Sequence, residues 1–129
     1  YCPGTLWPVN VGSVERVEGL FCINERLTSR IRLEDGSEIL VVKVGATNVG
    51  RIGVVYSDEL LVNAGRLPRD CKRFDWVPST KVTFEKGGEL GRFEMGSTVI
   101  LVVDKKIHER HPELFTSRLG QAVKVGEAL

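Results

Sequence analysis

A chain of 129 residues with 42% hydrophobic and 27% charged side chains has the make-up of one globular domain. Its 18 basic and 17 acidic residues leave a net charge of +1, which gives no electrostatic case for nucleic acid, a ligand that calls for a basic surplus on one face. Cys2, Cys22 and Cys71 form no Cys-x-x-Cys pair, so they support neither a zinc ribbon nor a thioredoxin-type site and read as reduced thiols. The longest apolar run, 99–103, is far short of the ~20 residues of a bilayer-spanning helix.

Along the chain the strongest pattern is a hairpin. Ile31 and Leu33 alternate with Arg30, Arg32 and Glu34, which predicts a strand over 29–34 with one face in the core. Asp35-Gly36 then predicts a type I′ turn, and 37–44 a second strand whose Leu40-Val41-Val42 run calls for burial on both sides. Glycines 45 and 50 punctuate the chain before a strand over 51–56. Residues 62–79, with Pro68 and Pro78, read as a loop, anchored by a partly buried Trp76. A strand over 81–84, a turn at Gly87-Gly88 and a strand opening near Ser97 come next. Pro112 heads a helical turn over 112–115, and 121–125 reads as a last short strand. Together these predict one all-β domain over 1–129, a sandwich or barrel of short antiparallel strands with at most one short helix.

Gly96-Ser97-Thr98 stands at the mouth of the 99–103 run, and a turn leading into a strand accounts for those three residues by themselves. Their surroundings add more. Glu89-Leu90-Gly91-Arg92-Phe93 precedes the triplet; upstream lie Tyr1-Cys2-Pro3-Gly4 with Leu6 and Val9-Asn10, then Leu20-Phe21 with Asn24-Glu25-Arg26, then Val44-Gly45-Ala46-Thr47-Asn48-Val49-Gly50 with Ile52; Gly120-Gln121-Ala122 lies downstream. In this order and spacing the stretches resemble the bacterial phosphatidylserine decarboxylases over nearly the whole chain. Met95 stands where that family most often has leucine, a volume-conserving change.

The resemblance implies a self-cleaving proenzyme cut between Gly96 and Ser97, with Glu89, Gly91, Phe93 and Thr98 as supporting motif residues. Residues 1–96 would then end the β chain and 97–129 form the α chain. Ser97 would attack the Gly96 carbonyl in an N-to-O acyl shift. β-Elimination would release the Gly96 carboxylate, and hydrolysis of the dehydroalanine would leave a pyruvoyl group and ammonia. Serine suits this because its Cβ carries only the leaving oxygen; threonine would give an oxobutyryl group. Glycine at the preceding position lets the hydroxyl approach closely, and a hydroxyl nucleophile needs a nearby general base. The pyruvoyl is the expected cofactor, an electron sink whose ketone takes the substrate amine before CO₂ leaves.

By the same resemblance the substrate is phosphatidylserine and the product phosphatidylethanolamine, formed at the cytoplasmic face of a bacterial membrane by a peripheral enzyme, with a homodimer among the assemblies allowed. The family's catalytic histidines and aspartate are expected upstream of Tyr1, so the chain is expected to be a C-terminal portion, uncleaved and inactive alone. His108 and His111 match no catalytic motif and read as loop residues; no third ligand accompanies them, so no metal site is expected. Two other readings remain: a non-enzymatic β barrel-sandwich module for binding or carriage, in which residue 97 is an ordinary serine, and a pyruvoyl decarboxylase of a soluble amino acid, which would lack the Val-Gly-Ala and Gly-x-Phe signatures.

Overall fold

The computed structural model describes residues 1–65, 67–95, 98–115 and 120–124. Its longest elements form the expected hairpin, β1 (Arg26–Arg32) and β2 (Glu38–Val44), paired antiparallel from Arg26 opposite Val44 to Arg32 opposite Glu38. The turn between them is not type I′, which needs positive φ at both central residues. Gly36 has φ 80, but Asp35 is not among the positive-φ residues. The Gly36 N–H donates to the Leu33 carbonyl and the Leu33 N–H to the Ser37 carbonyl, so the loop closes through a left-handed glycine one residue later. Asp35 favours this form by accepting from both the Ser37 amide (3.0 Å) and hydroxyl (2.6 Å). Those two bonds, helped by Arg110, hold its pKa down at about 2.

Three further strands follow. β3 (Ile52–Val54) pairs antiparallel with β4 (Gly91–Phe93) in a two-stranded sheet, and β5 (Thr98–Val103) pairs antiparallel with β2, giving a three-stranded sheet ordered β1-β2-β5. The architecture is therefore mainly antiparallel strands. β3 is shorter than the expected 51–56 strand. Residues 81–84 are not a strand, although Phe84 sets its ring edge-on to Tyr56 at 6.2 Å. Residues 121–124 are not a strand either, and Val125 lies outside the described residues.

The helical content exceeds the one short helix expected. α1 (Val11–Arg16), α2 (Leu20–Ile23) and α3 (Lys105–Arg110) are present, together with the anticipated turn at Pro112–Phe115, which is 3-10 helix. None of the three α-helices has the length for a hydrophobic period to emerge. α1 and α3 are announced by their caps instead, Asn10 accepting from the Ser13 amide at 2.9 Å and Asp104 from the Lys106 amide at 2.9 Å, whereas α2 follows Gly19 with no side-chain cap. No helix among the described residues is long and apolar enough to cross a membrane.

The core gathers Tyr1, Leu27, Ile52, Val54, Leu60 and Val62, with Tyr56, Phe74, Trp76 and Phe93 packed against it. Trp76 is half-buried with its ring 5.8 Å from Tyr56, so it anchors the 62–79 loop as expected.

Candidate active site

The Gly96–Ser97 pair lies outside the described residues, but both its flanks are placed. On the near side Phe93 ends β4 opposite Ile52, and the Glu94 amide donates to the Arg51 carbonyl at 3.1 Å while the two side chains form an ion pair at 3.2 Å. On the far side Thr98 opens β5 opposite Val44, the last residue of β2. The chain therefore crosses between the two sheets twice: once over 45–51, from β2 to β3, and once over 94–97, from β4 to β5. The second crossing leaves from the partner of Arg51 and arrives at the partner of Val44. The segment 94–97 and the Val-Gly-Ala stretch are two connections between the same pair of sheets.

The supporting residues sort accordingly. Gly91 is where β4 begins against β3: a Cβ there would run into the Gly53 carbonyl and meet the Lys43 side chain, so only glycine allows this approach. Phe93 packs on the core, and Thr98 is partly buried. Glu89 is an exposed partner of Arg92 at 3.9 Å, a surface pair of small energetic weight. Met95 is 62% exposed, so packing does not restrict the side chain at that position.

Behind the crossing lies a buried polar junction that composition and periodicity do not reveal. Asn24 has no exposed surface and uses its whole amide: the oxygen accepts from the Thr5 hydroxyl and the Trp7 amide, and the nitrogen donates to the Trp7 and Gly45 carbonyls. Glu25, equally buried, accepts from the Tyr1 hydroxyl and from Asn63 Nδ2 (2.6 Å), with Arg69 at 3.8 Å. Burial and the Glu25 carboxylate push the Tyr1 phenol far above its ordinary range. The Gly45 amide donates to the Glu25 carbonyl at 2.8 Å, and the Thr47 hydroxyl to the Leu6 carbonyl at 2.6 Å. A Cβ on Gly4 would collide with the backbone of 23–25. Stretches starting at residues 1, 20 and 44 thus meet at one point, beside the strand end that receives Thr98. The sequence signal for this was an uninterrupted Asn-Glu pair directly before an alternating strand.

Lys43 is the second residue missed. It is only 3% exposed, opposite Val99 on β5, and its Nζ donates to Ser29 Oγ at 2.8 Å, which lies 2.8 Å from the Tyr56 hydroxyl. Burial lowers its pKa from 10.5 to about 8. Its signal was a single charge inside the apolar run 39–44.

The two histidines belong to α3 and its end rather than to a loop. The His108 amide donates to the Asp104 carbonyl, and His111 Nδ1 stands 3.3 Å from Glu113. α3 starts beyond Val103, at the far end of β5, which at ~3.4 Å per residue is roughly 17 Å from Thr98. Among the described residues no three His, Cys, Asp or Glu side chains are grouped as a metal site.

Comparison with known proteins bears on the motifs directly. The family model described as phosphatidylserine decarboxylase matches residues 1–129. Similar curated proteins include the phosphatidylserine decarboxylase proenzymes of Myxococcus xanthus, 48% identical over 82% of this chain and 35% of that protein, and of Anaeromyxobacter, 44% identical over 100% of this chain and 43% of that protein. The Campylobacter jejuni proenzyme is 33% identical over 100% of this chain and 44% of its own length. The chain thus spans less than half the length of these relatives. No solved structure gives a significant match. Four motifs in order, converging on one crossing, and a family match over every residue lead to the same conclusion: the chain belongs to the phosphatidylserine decarboxylase family.

Proposed function

We propose that this chain is the self-cleaving part of a phosphatidylserine decarboxylase, with Gly96–Ser97 as the bond that breaks and Ser97 as the source of a pyruvoyl cofactor. The observation that supports this most is the pinning of both flanks of that bond, Glu94 to Arg51 and Thr98 to Val44, in a member of a family whose curated relatives are named proenzymes. Gly96 supplies a carbonyl that a neighbouring hydroxyl can reach, and Ser97 is the residue type whose β-elimination yields pyruvoyl.

The bound pyruvoyl supplies an electron sink for loss of CO₂ from an amino acid head group. The chain's own part is to hold the bond in place: Gly91 lets β4 lie close on β3, Phe93 seats that strand on the core, and Thr98 begins the strand that carries the new α chain away. Cleavage there divides the single domain into 1–96 and 97–129, which β2–β5 pairing keeps together. The fuller assembly is a strand sandwich that works on phosphatidylserine at a bacterial membrane surface, on its cytoplasmic face. The base that activates Ser97 comes from outside this chain, because His108 and His111 sit at the other end of β5; general-base help is worth ~10²–10⁴ in rate.

The test uses a chimera in which this chain replaces the matched 131 residues of the Anaeromyxobacter proenzyme. Intact mass should show two pieces, the smaller being 97–129 with a pyruvoyl terminus, and Ser97→Ala should stay whole. A free serine amine on the smaller piece would mean ordinary proteolysis and overturn the reading.

A further inference from the structure

We infer that β5 is an interior strand of the complete proenzyme, and that its outer edge receives a strand from the part of the polypeptide that the curated relatives possess beyond the matched segment. The inference rests on family membership and on strand geometry, not on the chemistry of Ser97.

Among the described residues, in the sheet ordered β1-β2-β5, β5 is an outer strand. Its sequence is not that of one. Thr98-Val99-Ile100-Leu101-Val102-Val103 contains no charge, no proline and no glycine, the devices by which exposed edges are blunted. Register puts Val99, Leu101 and Val103 on the face shared with Lys43, Val41 and Ile39, and Thr98, Ile100 and Val102 on the other. Both faces are thus apolar, the pattern of a strand covered on both sides. Yet Val99 is 49% exposed, Leu101 41% and Val102 50%. Neighbouring β2 shows the same deficit, with every residue from Glu38 to Val42 only half-buried.

Three occupants can be weighed. A second copy pairing β5 with β5 would extend the sheet but lay nothing across its faces. A lipid surface would cover the side chains but leave the edge amides and carbonyls without partners, which hydrocarbon does not tolerate. A strand of the same proenzyme satisfies the edge, and the chain that follows or precedes it can cover the faces. More than half of the Anaeromyxobacter proenzyme lies outside the segment matched here, ample for both tasks. The incoming segment should be about five or six residues long and apolar on both faces, adding to the edge by main-chain hydrogen bonds.

Hydrogen exchange followed by mass spectrometry decides the matter. In the 129-residue chain alone, peptides covering 98–103 should exchange at least ~10-fold faster than those covering 38–44, independently of protein concentration. In the chimera with the Anaeromyxobacter proenzyme they should be protected as well as 38–44; if the chimera does not fold, the native Anaeromyxobacter proenzyme is measured over its aligned segment. Unchanged fast exchange of 98–103 in the full-length protein would overturn the inference. So would protection that rises with concentration in the chain alone, which would assign the edge to a second copy. Val102→Lys sharpens the result: it should leave the melting temperature of the lone chain unchanged and abolish soluble full-length protein, whereas equal tolerance in both contexts would sink the idea.

Discussion

The two edges of the three-stranded sheet are built on opposite principles. β1 alternates Arg26, Thr28, Arg30 and Arg32 with Leu27, Ser29 and Ile31, and the amino-terminal segment bridges its first residue, Cys2 to Arg26, and the Asn24 just before it, from Thr5. Arg30 and Arg32 both grip Glu38 across the hairpin. β5 has neither the alternation nor, among the described residues, a neighbour beyond β2. What the difference teaches is that a strand's sequence records its position in the finished sheet. On the β1 side the alternation and the charges suit an outer strand.

The β1 side should therefore break hardest when its polar junction is damaged. Glu25→Ala removes the acceptor of the buried Tyr1 hydroxyl and of Asn63 and the counter-charge of Arg69. Losing one member of a buried charged network costs ~3–5 kcal/mol. Urea unfolding of the chain should show that fall as a lower midpoint with unchanged slope. A loss below ~1 kcal/mol would mean the junction is solvated and does not anchor β1.

Gly91→Ala probes the site flank between the two sheets. The added methyl meets the Gly53 carbonyl and the Lys43 stem, neither of which is a freely moving side-chain end. Overpacking of this kind costs ~1–3 kcal/mol. The strand should shift away from β3, so the chimera should also cleave more slowly than its parent. Full stability with normal cleavage would show that β4 has slack and that Gly91 has no role in placing the bond.

What the sequence revealed follows the range of the forces involved. The β1–β2 hairpin is legible because alternation and a turn glycine are local, although the turn type was not: Asp35 bonding to Ser37 outweighs the preference of Asp-Gly for type I′. The family was legible from the order and spacing of the motifs. The strand expected over 81–84 fails because Lys81, Val82, Thr83 and Phe84 alternate without a partner strand to pair with among the described residues. The junction was illegible for another reason. Asn24 and Glu25 are polar residues at full burial, and nothing local says that Tyr1, Trp7, Gly45 and Asn63 will supply their partners from up to 38 residues away.

Lys43 gives the smallest effect and the clearest sign. Its ammonium is buried between the sheets with Ser29 as its hydrogen-bond acceptor, and burial alone lowers its pKa from 10.5 to about 8. The unfolded chain therefore binds more protons than the folded one between pH 8 and 10.5, so stability from this group rises with pH across that window. Below pH 8 both states hold the proton and the burial penalty is present in full. Lys43→Met keeps the stem and removes the charge. Tyr56 can then donate to Ser29, so the hydroxyl is not orphaned. After allowing for the lost Lys43–Ser29 bond, the variant should be more stable than wild type by ~1–2 kcal/mol at pH 7. That advantage should shrink through pH 8–10.5 and vanish above it, with titrations shared by the two proteins cancelling in the difference. A gain that stays constant with pH would point to better packing rather than relief of a buried charge. A loss of stability at pH 7 would show that the ammonium has a counter-charge holding it in place.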